Sequence, residues 1–265
     1  MIILDENDAI LKLWQGGTNG SISTLDEISN FPIEDPVAFR GMTKRKIINE
    51  CKISERDFYY IDTGYLGNLG KRKDYHRVVK NNVQHVRPIP VPTDRFDKLQ
   101  KLANNTFYKN NWNKKGSNIL IVTPSEKPCK FYGITRDKWL SDTVQKLEQH
   151  TDRKIIIRDK PIRRERIGNK SIFNQIEHDD IYAVVTYNSI AATEAVSYGI
   201  PAFADAPINA AKSVCSDDFS KIEDPFYPDR YQVDRWLHWL AYCQYNCMEL
   251  EDGTAFRIQE EYNLC

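Results

Sequence analysis

The sequence has no hydrophobic run of the length that a membrane helix requires, which is about 20 apolar residues, and no stretch approaches it. Its first residues, Met1 to Asp8, include acids at positions where a secretory signal peptide carries Lys or Arg. These features argue against a membrane-spanning or a secreted protein. We expect a soluble protein of the cytoplasm with no membrane partner.

Motifs of cysteine and histidine are also scarce. The six cysteines are scattered without a CxxC pair, and the five histidines show neither HExxH nor HxH spacing. Cys243 and Cys247 lie one helical turn apart in an apolar stretch, which supplies half of a metal site at most. Buried free thiols are the favoured interpretation for a cytosolic chain, so no metal site is predicted.

Charge of one sign is not in excess, because 37 Lys and Arg residues balance 37 Asp and Glu residues. Net charge therefore gives no information about partners. Hydrophobic residues make up 41% and aromatic residues 11% of the 265-residue chain, which is enough for a packed core and excludes a disordered protein. The length is compatible with one large domain or two small ones.

The first half of the chain contains one strand–helix–strand pattern. Residues 1–34 show few periodic apolar positions, which predicts a loosely structured lead-in with one short helix. Strands are predicted at Val37–Gly41 and Phe58–Asp62, with a helix near Lys44–Cys51 between them. A glycine-rich turn, Thr63–Gly70, then lies at the edge where open parallel sheets bind ligands.

The second half alternates strands and helices. Apolar runs predict strands at Asn118–Thr123, Lys154–Arg158 and Ile181–Val185, and amphipathic patterns predict helices at Arg136–His150 and Ile190–Tyr198. We therefore predict an α/β protein with two Rossmann-like βαβ halves that face a central cleft. We expect an N-terminal domain over residues 1–115, a C-terminal domain over 116–230, and helices at 231–265 that pack back across both domains.

The segment IYAVVTYNSIAATEAVSYGIPAF, residues 181–203, carries the most information. A strand ends at Tyr187, a polar turn offers Asn188 and Ser189, and a helix rich in small residues follows and ends at Gly199. The helix N-terminus presents unpaired N–H groups and the positive end of the helix dipole, which suit a phosphate. An ordinary crossover helix capped by Ser189 explains the same pattern and stays open.

This strand, its "NS…TEA…GIP" turn and the next strand resemble the nucleotide-sugar-binding segment of GT-B glycosyltransferases. The likeness covers Ile119–Ala210 and is closest to the branch with capsule-polysaccharide transferases and sugar-nucleotide 2-epimerases. The resemblance implies that Ser189 and Thr193 bind the donor diphosphate beside Asn188 and that Glu194 holds the ribose. It also implies a nucleotide-sugar co-substrate, for which a UDP-sugar is the first choice, and no further cofactor.

Two cations follow the strand Lys154–Arg158. Arg158 and Lys160 are expected at the same sheet edge as Ser189, and Lys160-Pro161 resembles the basic residue and proline that face the donor phosphates in related transferases. Cations and a helix dipole neutralise a leaving diphosphate without a metal. The alternative is a solvated basic loop.

Asp62 is the candidate catalytic residue. It ends a buried strand ahead of a flexible turn, and an inverting transferase needs a general base for the acceptor hydroxyl. Tyr65 is expected to line the acceptor side. A turn-forming aspartate is the alternative interpretation.

Basic residues follow in the predicted acceptor half. Cations mixed with aromatic and amide side chains suit a polyanion such as DNA, and the members of this candidate DNA-binding set are Lys71, Arg72, Lys73, His76 and Arg77. The C-terminal residues are also similar to tailed-phage proteins. The leading hypothesis is therefore a phage enzyme of the host cytoplasm that transfers a hexosyl or pentosyl group to a hydroxymethylated pyrimidine in DNA, with the base flipped out.

Several alternatives share the same donor site. A transferase that acts on a surface glycan or a small acceptor would show no salt-sensitive binding to DNA. A sugar-nucleotide 2-epimerase is disfavoured because those chains are longer, and a nucleotide- or DNA-binding module without catalysis is a different class. The oligomeric state is open, although Trp236 and Trp239 on opposite sides of the last long helix hint at a partner surface.

Overall fold

The computed structural model describes residues 1–265 with the exception of 6, 43, 67–74, 104–106, 160–170 and 265. The chain divides into two compact units. The first contains the residues up to His85 together with those from Leu240 onward, and the second spans Val86–Trp239. The division placed at residue 115 from the sequence thus falls within the second unit, and the last residues of the chain belong to the first.

The secondary structure alternates strands and helices along both units. The strands in the described part of the chain are β1 (Ile2–Leu4), β2 (Ser21–Ser23), β3 (Val37–Arg40), β4 (Phe58–Thr63), β5 (Tyr75–Lys80), β6 (Asn118–Val122), β7 (Ile155–Arg158), β8 (Ile181–Thr186), β9 (Ala202–Ala204) and β10 (Gln244–Asn246). The α-helices are α1 (Ala9–Thr18), α2 (Arg45–Ile53), α3 (Asp94–Leu102), α4 (Glu126–Tyr132), α5 (Arg136–Glu148), α6 (Ile172–His178), α7 (Ala191–Ser197), α8 (Arg230–Tyr242), α9 (Cys247–Glu251) and α10 (Thr254–Tyr262). Among these helices, none combines the length and the apolar character that crossing a bilayer demands.

The first unit contains a six-stranded sheet with the order β10-β5-β4-β3-β1-β2. The strands from β2 to β4 are parallel to one another, β5 is antiparallel to β4, and β10 is antiparallel to β5. Strand β1 lies inside this sheet with Ile2, Ile3 and Leu4 buried. The prediction of a loosely structured lead-in is therefore wrong, because a strand of 3 residues is too short to show a period.

The C-terminal helices of the first unit pack against α1. The buried ring of Trp14 lies 5.5 Å from the ring of Tyr59 in β4 and 5.9 Å from that of Phe256 in α10, measured between centroids. A Cβ atom on Gly17 would lie 2.1 Å from the carbonyl oxygen of Leu250 in α9. The backbones of α1 and α9 therefore approach more closely than any side chain at position 17 would allow.

The second unit contains a parallel four-stranded sheet with the order β7-β6-β8-β9. Strand β8 is buried along its whole length, as expected for a parallel strand that is covered on both faces. Taken in chain order, these strands and the parallel strands of the first unit both follow the order 2-1-3-4. The prediction of an α/β protein with two Rossmann-like halves is confirmed, with the antiparallel strands β5 and β10 added to the parallel strands of the first sheet.

Helix α8 places its tryptophans in the interior. Trp236 is 1% exposed and Trp239 is 0% exposed. The indole N–H of Trp236 donates to the carbonyl oxygen of Ala210 at 2.8 Å. The expectation that these two side chains mark a partner surface is therefore wrong.

Candidate functional site

The carboxyl ends of β7, β6 and β8 lie side by side in the second sheet. Val122 at the end of β6 pairs with Arg158 on one side and with Thr186 on the other. Since adjacent strands are about 4.8 Å apart, the backbones of Arg158 and Thr186 lie about 10 Å apart. The strand order reverses between β6 and β8, and open α/β sheets bind ligands outside such a point. The last residues of these three strands, the residues that follow them and the side chains that contact them are called the second-sheet edge below.

The turn after β8 brings Asn188 and Ser189 to the second-sheet edge. Asn188 is 6% exposed, whereas Ser189 is half-buried. The Ser189 hydroxyl oxygen accepts a hydrogen bond from the backbone N–H of Ala191 at 3.2 Å. Ser189 therefore stabilises the start of α7, in agreement with the structural alternative that the sequence left open.

Helix α7 distributes its polar side chains unequally. Thr193 is 1% exposed, so its hydroxyl lies in the interior and not against a ligand. Glu194 is partly exposed in the first turn of the helix. Of the residues predicted on this helix, Glu194 is thus the one whose placement allows contact with a ribose, and the role implied for Thr193 is corrected.

Arg158 is the predicted cation whose position the structure describes, at the second-sheet edge. Its side chain is partly exposed, and Nη1 donates to Oε1 of Gln175 at 2.5 Å. Lys160 lies outside the described residues. Arg158, Asn188 and Ser189 therefore lie at one edge of one sheet, and their role in binding a donor stays a prediction.

Sequence analysis missed three polar side chains at this edge. Thr123 follows β6, and its hydroxyl donates to Oδ1 of Asp159, which follows β7, at 2.9 Å. Nη2 of Arg136, the first residue of α5, donates to the same oxygen at 2.7 Å. A strand-end rule could have found both, because Thr123 ends one predicted parallel strand and Asp159 follows another. No local motif marks Arg136, because only the packing of α5 places it at this edge.

Aromatic side chains form the support beneath the turn after β8. The ring of Tyr187 lies 5.3 Å from that of Tyr132 and 6.0 Å from that of Trp139, both edge-on. The indole N–H of Trp139 donates to Oδ2 of Asp205 at 2.9 Å. Burial raises the pKa of Tyr187, with the Asp205 charge adding to the effect. Tyr187 therefore stays neutral, and the packed rings fix the backbone that carries Asn188.

Asp62 lies at the carboxyl end of β4 in the first unit, within a dense network. Oδ2 accepts from the Tyr60 hydroxyl at 2.7 Å and lies 3.3 Å from Nη2 of Arg77. Oδ1 accepts from the backbone N–H of Thr63 at 2.7 Å. Both oxygens of the carboxylate are therefore engaged within the protein.

The network holds Asp62 in its ionised form. Burial alone would raise the pKa of Asp62, but the Arg77 charge and the hydrogen bonds from Tyr60 and Thr63 outweigh it and lower the pKa below its ordinary value. A general base is most effective with a pKa near the working pH. The arrangement thus favours Asp62 as an anchor for Arg77 over the predicted role in proton transfer.

Tyr65 and the described residues of the candidate DNA-binding set are buried in the first unit. Tyr65, His76 and Arg77 are 2%, 2% and 6% exposed. The Tyr65 hydroxyl lies 3.2 Å from Nδ1 of His85, and burial lowers the pKa of His85 to about 3, so this imidazole is neutral. Side chains in this position do not reach a phosphate backbone in solvent. The other members of the set, Lys71, Arg72 and Lys73, lie outside the described residues.

A second ion pair lies at the same edge of the first sheet. Nη1 of Arg40, at the end of β3, donates to Oδ2 of Asp8 at 2.9 Å, and both side chains are partly exposed. The Arg40 charge also contributes to the lowered pKa of Asp62. Asp8, Arg40, Asp62 and Arg77 therefore form a row of alternating charge along this edge.

No group of His, Cys, Asp and Glu side chains in the described part of the chain is arranged to hold a metal ion.

Comparisons with known proteins show similarity in structure. No protein-family model matches the chain, and no curated protein matches it. Among solved structures, the chain is similar to the β Kdo 2,4 transferase of Thermosulfurimonas dismutans KpsC, with a TM-score of 0.54, 13% identity and coverage of 90% of this chain and 89% of that one. It is also similar to the β Kdo 2,7 transferase of the same KpsC, with a TM-score of 0.54, 10% identity and coverage of 97% and 99%. At this level of identity the likeness shows the fold alone.

Proposed function

We propose that this protein is a glycosyltransferase that binds a nucleotide-sugar at the second-sheet edge. The observation that carries the proposal is the position of Arg158, Asn188 and Ser189 at one edge of one parallel sheet, beside the point where the strand order reverses. Ligands bind outside such points in open α/β sheets. The two structural neighbours support the reaction class, because both are named as Kdo transferases and share the fold over 90% and 97% of this chain.

The chemistry of the edge fits a departing phosphate. Glycosyl transfer breaks the bond between the anomeric carbon and a donor phosphate oxygen, and negative charge develops on that oxygen. A guanidinium such as that of Arg158 stabilises this charge and can bind phosphate through two parallel hydrogen bonds. Glu194, partly exposed at the start of α7, is assigned to the ribose hydroxyls.

The first unit is assigned to the acceptor, for which we propose a carbohydrate or a small hydroxyl compound. The structural neighbours are named for transfer of Kdo, an acidic sugar. Tyr65 and the described members of the candidate DNA-binding set, His76 and Arg77, are buried and support no contact with DNA. A carbohydrate acceptor is therefore favoured over hydroxymethylated DNA.

The donor proposal is tested by titrating CMP-, UDP-, GDP- and dTDP-linked sugars, with acidic sugars included, into the full chain by calorimetry. We expect one nucleotide class to bind, and Arg158→Ala to weaken its binding. Lys138→Ala is the control, because Lys138 is exposed on α5 and pairs with Asp142. If no sugar nucleotide binds the unmodified protein, the proposal is wrong.

The acceptor is tested separately, by mass spectrometry after incubation with the donor that binds. Glycan acceptors and hydroxymethylated DNA are compared in parallel reactions. A mass increase on a glycan supports the proposal, and an increase on a nucleoside overturns the acceptor assignment. Nucleotide binding without transfer to any acceptor identifies a binding module instead.

A further inference from the structure

An exposed ion pair at the second-sheet edge joins α5 to the end of β7. Nη2 of Arg136 lies 2.7 Å from Oδ1 of Asp159, and the two side chains are 44% and 62% exposed. The buried Thr123 donates to the same carboxylate oxygen at 2.9 Å. Thr123 thus fixes the Asp159 carboxylate, and the carboxylate positions the guanidinium of Arg136.

The contacts of this pair leave part of both groups available. Among the described residues, Nη2 is the one guanidinium nitrogen of Arg136 that makes a hydrogen bond, and Oδ2 of Asp159 accepts none. Exposed ion pairs contribute little to stability. A phosphate can therefore displace the carboxylate from Arg136 at a small cost in stability. Phosphate oxygens match the planar guanidinium and can accept two parallel hydrogen bonds from it.

The location of the pair separates it from other surface ion pairs. Asp159 directly follows Arg158, and Thr123 directly follows Val122, which pairs with Arg158 across the sheet. Arg136 therefore adds a second guanidinium to the edge that carries Arg158. On the same helix, Lys138 and Asp142 form a pair 2.8 Å apart, with no hydrogen bond to a strand end in the described part of the chain.

We propose that Arg136 binds a phosphate of the donor and that Asp159 competes with this phosphate for the guanidinium. This inference rests on the proposed function, since it concerns the same ligand. The ligand class is a compound with a phosphate or diphosphate group, and the nucleoside part makes no contact with this pair. Arg136 consequently raises the affinity for phosphate, and Asp159 lowers it.

The experiment measures the dissociation constants of inorganic pyrophosphate and of the best-binding nucleotide by calorimetry at low ionic strength. Arg136→Ala is expected to raise the dissociation constants of both ligands about tenfold. Asp159→Asn is expected to lower both dissociation constants about threefold. The Asn side chain keeps an acceptor for Thr123, so the fold is retained. Lys138→Ala and Asp142→Asn change the matched pair on α5. They are expected to leave the dissociation constants of both ligands unchanged.

The outcomes separate the inference from the proposed function. Pyrophosphate that binds in an Arg136-dependent way, while no nucleotide-sugar binds, supports the phosphate site and contradicts the transferase. A nucleotide that binds equally well to the unmodified protein and to Arg136→Ala overturns the inference and leaves the transferase intact. Absence of pyrophosphate binding, or changes of the same sign in Arg136→Ala and Asp159→Asn, also overturns it.

Discussion

Asp62 and Arg77 lie directly opposite each other on the antiparallel strands β4 and β5, and Arg77 Nη2 is 3.3 Å from Asp62 Oδ2. The guanidinium also donates from Nη1 to the carbonyl oxygen of Thr63 at 2.7 Å. It lies 5.2 Å from the ring centroid of Tyr65. The Arg77 side chain is 7% exposed, so a cation is enclosed in the first unit and Asp62 supplies its counter-charge.

Replacement of Asp62 by Asn is expected to lower the free energy of unfolding by about 2 kcal/mol, because it leaves the buried Arg77 without its counter-charge. Urea denaturation at neutral pH measures this change. Asp57→Asn is the control, since Asp57 is 48% exposed beside Lys80 and its loss is expected to cost about 0.5 kcal/mol or less. Unchanged stability in Asp62→Asn would contradict the anchoring role.

The stabilising effect of Asp62 is expected to depend on pH. Its folded-state pKa is lowered by Arg77 and its hydrogen bonds against the opposing effect of burial, so the unfolded chain binds the proton more readily. The contribution is therefore complete above the unfolded value of about 3.9 and is lost as pH falls through the lowered folded value. Urea titrations of the unmodified protein and of Asp62→Asn should converge in this acidic range. A difference that grows on acidification would show that the sign is wrong.

The elements that could be predicted from the sequence are those with continuous apolar runs. Strands β6, β7 and β8 all have such runs. For β6 and β8 the reason is that both are buried parallel strands, whereas β7 is an edge strand with Ile157 exposed. Strand β1 was missed since 3 residues do not reveal a period. Strand β10 was missed because Gln244–Asn246 follows directly from α8 and contains polar residues at both ends.

The site was predicted only where local pattern determines position. Asn188 and Ser189 follow a strand, and their place at the sheet edge follows from that order alone. The burial of Arg77 was not predictable, because arginine is mostly exposed unless it is paired, and its partner Asp62 lies on another strand. Arg136 reaches the edge through the packing of α5, which no spacing in the sequence encodes.

Gly17 is expected to be essential to the packing of α1 on α9. A Cβ atom there would lie 2.1 Å from the carbonyl oxygen of Leu250 and 2.8 Å from the backbone nitrogen of Gly253. Gly17→Ala should therefore destabilise the protein by about 3 kcal/mol, as measured by thermal or urea denaturation. Gly16→Ala is the matched control in the same helix, with its nearest atom at 3.5 Å. It is expected to be neutral or slightly stabilising, and equal losses in both variants would contradict the close approach.

Gly199 is expected to act through structure and not through ligand contact. Its φ is +79°, and a Cβ atom would lie 2.2 Å from the carbonyl oxygen of Asn111. Gly133 has φ +71° with no atom within 4 Å of its Cβ position. Gly133→Ala therefore measures the destabilisation from the left-handed backbone alone, about 1 kcal/mol. Gly199→Ala should destabilise the protein by at least about 2 kcal/mol more than Gly133→Ala in urea denaturation. A similar loss in both would show that the Asn111 segment moves away freely.

Glu194 is expected to recognise the ribose of the donor nucleotide. A carboxylate that accepts hydrogen bonds from ribose hydroxyls distinguishes a ribonucleotide from its 2′-deoxy analogue, because the analogue leaves the acceptor unpaired. Calorimetry should show that the unmodified protein binds the ribonucleotide about fivefold more tightly than the deoxy form. Glu194→Gln should weaken the binding of the ribonucleotide and reduce its preference over the deoxy form, since the amide is a weaker acceptor than a carboxylate. Glu148→Gln, at the exposed end of α5, should keep the preference unchanged. An equal loss of affinity for both nucleotides in Glu194→Gln would assign Glu194 to the support of α7 and not to the ribose.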